Sequence, residues 1–479
     1  MMAEYLDLDV VAAAKLLREG EVSSSELVAA TLDQISRFDP EINAFITVMD
    51  GQARALADVY DAEIAAGAYR GPLHGIPIAI KDNVHLAGFP TTAGGKHLAS
   101  IPSVESATVV RRLRDAGAIV VGKLNMHEYA YGVTSANPHY GPVRNPWDTD
   151  RIPGGSSGGS AAAVTARMCF AAIGTDTGAS VRLPAALNGI VGLRPTIGRV
   201  SNHLVVPLCW SLDTVGPMTR SVRDCAVMLE AIAGHDPLDT RTRAVPVPSY
   251  PARLDGDLEG VRLALLQGVS LENLDPAVYR SVTAGIARME SAGASIRTVE
   301  VDGLEHALSA LMTVDVVEPT VLHHQWIRDS PEKYGDDVRN LLYAGEMYSA
   351  TDYMHAQRYR RLLSERLDEV FRRSDVIVVP TLPFPAPLHG TDRIDLPDGH
   401  SESFLSAAMR FTALASLAGL PAISVPCGYS DEGLPIGLQF IGRAFGEVEL
   451  LAVAAAFERI ADAHGSDAPP MIRPAHAGS

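Results

Sequence analysis

Apolar residues recur at helical spacing over 10–17. Ser23-Ser24-Ser25-Glu26 reads as a capping box that opens a helix running towards Phe38 and stopping before Pro40. Residues 52–66 are Ala-rich and amphipathic, so 1–70 reads as an N-terminal helical segment packed on the rest. From residue 71 the period changes. Residues 77–80 predict a short apolar strand, 106–116 a helix, and 118–121 a β-branched strand of the fully buried kind. A small-residue helix is predicted over 160–166, followed by the apolar run 169–174. Further strands are predicted at 261–268, 375–380, 420–428 and 436–442, with helices at 276–292, 350–373 and 447–463. The Pro-rich stretch 235–260 and the Pro-, Gly- and Asp-rich stretch 383–403 predict loops. Strands alternating with helices imply an α/β fold whose sheet is mixed or parallel and covered on both faces.

Composition narrows the partners. The chain has 479 residues, 47% of them hydrophobic, enough for a large core. Its net charge is −17, with acidic residues scattered rather than in blocks. Phosphate backbones require clustered Lys and Arg, so neither nucleic acid nor an anionic membrane is an expected partner. Cys169, Cys209, Cys225 and Cys427 are widely spaced, with no C-x-x-C pair, and fit neither a zinc site nor a disulfide framework. Buried thiols in a reducing cytoplasm are the expectation. No uncharged apolar run reaches the ~18 residues of a membrane span, and the start of the chain lacks the pattern of a secretion signal.

Three stretches present polar groups suited to chemistry. Lys81 closes Gly75-Ile76-Pro77-Ile78-Ala79-Ile80, Ser156 sits in Gly154-Gly155-Ser156-Ser157-Gly158-Gly159-Ser160, and Ser180 ends Gly174-Thr175-Asp176-Thr177-Gly178-Ala179. A lysine carried into apolar surroundings loses its proton more readily, and a neutral amine is what a general base must be near pH 7. A lone lysine after a strand is more often a solvated strand end, so this reading depends on the other two stretches. The second stretch also satisfies G-x-S-x-G, the turn in which a strand delivers a nucleophilic serine to a helix. Here the loop 145–153 precedes it, and the required strand is missing. A phosphate-binding loop would need a Gly-Lys-Ser/Thr ending that the chain lacks. No histidine stands in any of the three stretches, so a Ser-His-Asp triad has little support. No metal motif competes.

Together the three stretches resemble the amidase signature family of serine amide hydrolases. Lys81, Ser156 and Ser180 stand 75 and 24 residues apart, spacing similar to the family's. Asn125 to Gly132, Gly141 to Trp147, Arg182 to Ala185, Gly192 to Thr196, Ser211 to Pro217 and Leu417 to Ala422 also look like family segments. The resemblance implies a single large α/β/α domain over 71–470, built around a mixed, mostly parallel sheet covered by helices. It implies Lys81, Ser156 and Ser180 as the catalytic residues, with a cis bond between Gly155 and Ser156. It places the oxyanion hole at the N–H groups of Thr177, Gly178, Ala179 and Ser180, with Arg182 and Asp213 bracing that loop. Ala179 stands where the family most often has glycine. Tyr131, Gly155, Trp210 and Met409 are the candidate substrate contacts. No cofactor or metal is implied.

The ending sequence resembles the subgroup formed by the glutamine-hydrolysing subunit of glutamyl-tRNA amidotransferase. That subgroup carries an acidic residue just before a Phe-Thr pair, whereas here Ala408-Met409-Arg410-Phe411-Thr412 holds no carboxylate. An α-ammonium would lack a partner there. The expectation is a cytoplasmic amidase, alone or as a homodimer, that cleaves small neutral or aryl amides or carbamates. Glutamine hydrolysis within an amidotransferase assembly stays open as the alternative.

Overall fold

The computed structural model describes residues 2–472; Met1, the first residue of the expected N-terminal segment, lies outside them. Eleven strands form one mixed sheet. In chain order they are β1 (Phe45–Val48), β2 (Pro77–Lys81), β3 (Ile119–Leu124), β4 (Ala171–Asp176), β5 (Val191–Arg194), β6 (Thr214–Thr219), β7 (Arg262–Leu266), β8 (Ser295–Val299), β9 (Val376–Pro380), β10 (Ala422–Tyr429) and β11 (Pro435–Ile441). Across the sheet the order is β1-β3-β2-β4-β6-β5-β10-β11-β9-β7-β8. Strands β3, β2 and β4 run parallel, as do β9, β7 and β8, and antiparallel pairs join the two blocks. Every residue of β2, β3 and β4 is buried, which is why these strands read as near-continuous apolar runs.

Helices cover both faces, so the sheet separates two apolar layers. Ile78, Ile80 and Val120 belong to the larger one, while Ala79, Ile119 and Val121 join Ala161, Ala162 and Val164 in the other. That division is the period-2 alternation of a strand. By the same alternation Lys81 shares the face of Ala79, on which the buried helix Gly158–Thr165 packs. Strand β4 comes close to the turn before that helix. A Cβ at Gly174 would lie 2.9 Å from Ser157 Oγ, so only glycine fits.

Three local expectations change. The second helix does not stop before Pro40 but runs Ser24–Ile42. One lost N–H near its end costs little, and Asn43 in the left-handed region ends it while the Asp39 carboxylate accepts from Ala44 and Phe45 N–H. The N-terminal segment is not wholly helical, since β1 pairs with the sheet edge at β3. The loop 383–403 carries a small hairpin, Arg393–Asp395 with Ser401–Ser403. Two helices that periodicity did not single out, Ala307–Asp329 and Asp336–Gly345, pack on each other. The first contains Pro319 and the β-branched residues Val314, Val316, Val317, Thr320 and Val321, which blur its helical pattern.

Candidate active site

Parallel pairing sets the C-terminal ends of β2 and β4 side by side, Ile80 beside Ile173, and chemistry in open α/β sheets gathers at such ends. Lys81 is the last residue of β2 and has no solvent exposure. Its Nζ lies 2.8 Å from Ser156 Oγ, 2.9 Å from Ser157 Oγ and 2.9 Å from Thr175 Oγ1. Among the described residues, no carboxylate pairs with it. Burial pushes its pKa down to about 7, against the weaker pull of Asp213 and Asp176. The hydroxyls fix the direction of the bonds. Ser157 Oγ donates to Thr175 O at 3.1 Å, so it accepts from Lys81. Thr175 Oγ1 also accepts from Asn83 Nδ2 at 3.1 Å. Ser156 Oγ has no further partner among the described residues, and its hydrogen is available to the lone pair of a neutral amine.

The Gly155–Ser156 peptide is cis, as the resemblance implies. A Cβ at Gly155 would lie 2.9 Å from the backbone of 133–135, so a side chain there would collide with the chain. On the other side, β4 runs into the turn 177–181 before helix Arg182–Asn188. Among the described residues, no protein acceptor takes the N–H of Gly178, Ala179 or Ser180, and the Ser180 hydroxyl has no partner. Ala179 is not at positive φ, so the alanine adds no backbone strain to the turn.

Buried charge holds this turn in place. Asp176 pairs with Arg182 and Arg194 at 2.9 Å each. Burial raises the Asp176 carboxyl, but the two guanidinium groups outweigh it and keep it well below the usual carboxylate range. Arg182 also donates to Gly178 O at 3.0 Å. Asp213 accepts from Thr177 Oγ1 at 2.6 Å and from Leu208 N at 2.9 Å, while burial raises its pKa to about 6. Both bracing residues therefore touch the turn directly.

Thr177, Gly178, Ala179 and Ser180 line a cavity of about 20 Å³ with Tyr131, Met409, Met312, Leu341 and Asp315. That is room for about one water. Met409 packs on the turn, since a Cβ at Gly178 would lie 2.8 Å from its Sδ. Larger clefts of about 450 and 500 Å³ lie elsewhere and contain none of these groups. Of the expected substrate contacts, Tyr131 and Met409 line the cavity and Gly155 lies at the cis bond. Trp210 does not. It is 38% exposed, and its carbonyl accepts from Arg241 instead. Sequence reasoning missed Met312, Asp315 and Leu341, which come from the two unforeseen helices. It also missed Ser157 and Thr175, the other two hydroxyls on Lys81, although both stand inside the quoted stretches. The pocket is not free of carboxyl groups, as 408–412 suggested, because Asp315 reaches it from another part of the chain.

The profile of the amidase family matches residues 26–451. An amidase of Pseudomonas putida is 40% identical over 464 residues, covering 97% of this chain and 98% of that protein. A glutamyl-tRNA(Gln) amidotransferase subunit of Geobacillus stearothermophilus is 41% identical over 479 residues, covering 94% and 96%. A solved chain described with a vestigial protein complex and the origins of an s-triazine catabolic enzyme superposes with a TM-score of 0.92 at 33% identity, covering 95% of this chain and 99% of that one. Among the described residues, no helix is long and apolar enough to cross a membrane.

Proposed function

This chain belongs to the amidase family of hydrolases acting on carbon–nitrogen bonds, and we propose that it is a stand-alone serine amidohydrolase of small amides, aryl amides and carbamates included. Ser180 Oγ attacks the carbonyl carbon as Ser156 takes its proton and passes its own to neutral Lys81. The N–H groups of Thr177, Gly178, Ala179 and Ser180 hold the oxyanion, each worth roughly 3–4 kcal/mol to the transition state. The proton returns through Ser156 to the leaving nitrogen, the C–N bond breaks, and water repeats the sequence on the acyl-enzyme. The observation that carries this reading is the Lys81 amine, sealed from water among three hydroxyls with no carboxylate partner among the described residues. A base of that kind is ready near neutral pH.

Identity does not separate a solitary enzyme from a component of an amidotransferase, since relatives of both names stand near 40%. Two features of the cavity favour the first. Glutamine brings an α-carboxylate, and no Lys or Arg is among the residues that line the pocket. The stretch 408–412 also lacks the acidic residue of the amidotransferase pattern, and the carboxyl that does reach the cavity, Asp315, comes from a different element. The domain reading, with 1–70 packed on an amidase domain over 71–470, is part of the same proposal.

The test is a panel of p-nitroanilides, primary amides and carbamates, with ammonia release from glutamine and gel filtration of the purified chain. Ser180→Ala should abolish turnover and leave the far-ultraviolet dichroism unchanged. Retained activity in that variant overturns the assignment of the nucleophile, and efficient glutamine hydrolysis overturns the preference for a solitary amidase.

A further inference from the structure

The Asp315 carboxyl has no assigned task. It projects from helix Ala307–Asp329 into the cavity shared by the turn 177–180, and the residue is 8% exposed. Its Oδ1 is sealed from solvent without a hydrogen-bond partner. A buried carboxyl left unpaired is costly, and such a group calls for a partner that the protein itself does not supply. No cation among the described residues pairs with it. The groups it faces are Asp213 below the turn, Glu318 one helical turn along, Tyr131 and Cys209. Glu318 already has partners, accepting from Ser211 N, Cys209 Sγ and the Tyr353 hydroxyl. Burial and the two neighbouring carboxylates raise the Asp315 pKa to about 7, so a cation beside it would restore the ionised form.

We propose that Asp315 receives a protonated primary amine on the acyl part of the substrate, so that the enzyme prefers short amino-acyl amides to their uncharged isosteres. The acyl part is the portion that stays bound at Ser180 through both half-reactions, whereas the leaving nitrogen needs an exit. The cavity beside Ser180, with room for about one water until its flexible side chains move, therefore suits a short acyl group. Asp315 carries the one carboxyl among the residues that line this cavity, and Met312, Leu341 and Met409 stand with it in the wall, so an ammonium there has one ionic partner in low-dielectric surroundings. Met312 and Met409 are unbranched and can shift to admit it.

This inference rests on the reading of Ser180 as nucleophile, and its test separates the two. The probes are glycinamide against propanamide, β-alaninamide against butanamide, and 4-aminobutanamide against pentanamide. Wild type should favour the charged member of at least one pair by 10-fold or more in kcat/KM. Asp315→Asn should remove that preference, bringing the kcat/KM ratio of the charged to the neutral member to within 3-fold of one. Absence of a preference in wild type, or equal loss on both members in the variant, overturns the role of Asp315 and leaves the amidase reading intact. Calorimetric titration of Ser180→Ala with the same pairs needs no turnover. If wild type hydrolysed no amide, the proposed function would fall, while tighter binding of the charged member, lost on adding Asp315→Asn, would still uphold this site. Equal binding of both members would overturn it.

Discussion

Two lysines with no solvent exposure stand on neighbouring parallel strands, Lys81 at the end of β2 and Lys123 in β3, and their surroundings differ above all in charge. Lys123 Nζ meets the Asp82 carboxylate at 2.7 Å, with Thr91 Oγ1 and Pro90 O at 2.8 Å each. Lys81 meets three hydroxyls. Burial lowers the pKa of both, but at Lys123 the adjacent charge and hydrogen bond of Asp82 oppose it. The comparison teaches that burial alone does not make a base. A buried ammonium beside a carboxylate is a structural ion pair, whereas one among neutral acceptors sheds its proton cheaply.

Exchanging the two lysines for apolar residues should break the comparison most sharply. Lys81→Met should lower kcat/KM on any amide substrate by about 10⁴-fold while preserving the fold, since it leaves no charge behind. Steady-state kinetics with thermal unfolding checks this, and loss of stability without loss of turnover would reverse the roles. Lys81 should also mark the pH dependence. Activity should rise with pH through about 7 as the amine becomes neutral. Its folded-state pKa lies below the unfolded value of 10.5, so between about 7 and 10.5 the unfolded chain binds the extra proton. The penalty of burying the amine is therefore full below about 7 and is relieved as pH climbs. Relative to Lys81→Met, wild type should gain up to about 5 kcal/mol across that window, read from urea unfolding at each pH.

Lys123→Met should act the other way. It leaves the Asp82 carboxylate buried without its cation and should cost about 3–5 kcal/mol of stability. Adding Asp82→Asn removes the stranded charge and should return much of that loss. A double-mutant cycle in denaturant measures the coupling, and additive losses would mean that the pair is not a unit. The smallest effect belongs to Ser157→Ala. It removes one acceptor from Lys81 and should slow kcat about 5-fold, in keeping with one hydrogen bond of roughly 1 kcal/mol.

Much of the site was legible because it is carried by short local patterns. The apolar run before Lys81 made a strand, and the small residues around Ser156 and Ser180 made tight turns that admit a ligand. The family resemblance marked Arg182 and Asp213 as braces, and both contact the turn. Trp210 was misplaced because an aromatic residue near a motif looks the same in sequence whether it lines a pocket or faces water. Helix Ala307–Asp329 was missed because Pro319 and its β-branched neighbours dilute the period, and Asp315 was lost with it.

The sequence by itself determined which groups can react and which strands and turns present them, since those depend on neighbours a few residues away. Only the tertiary structure decided that Lys81 sits among hydroxyls while Lys123 meets a carboxylate, and that Asp315 reaches the cavity of Ser180. Protonation and pocket charge follow from distances between residues far apart in the chain. In a low-dielectric interior a few ångströms separate a paired charge from a free base.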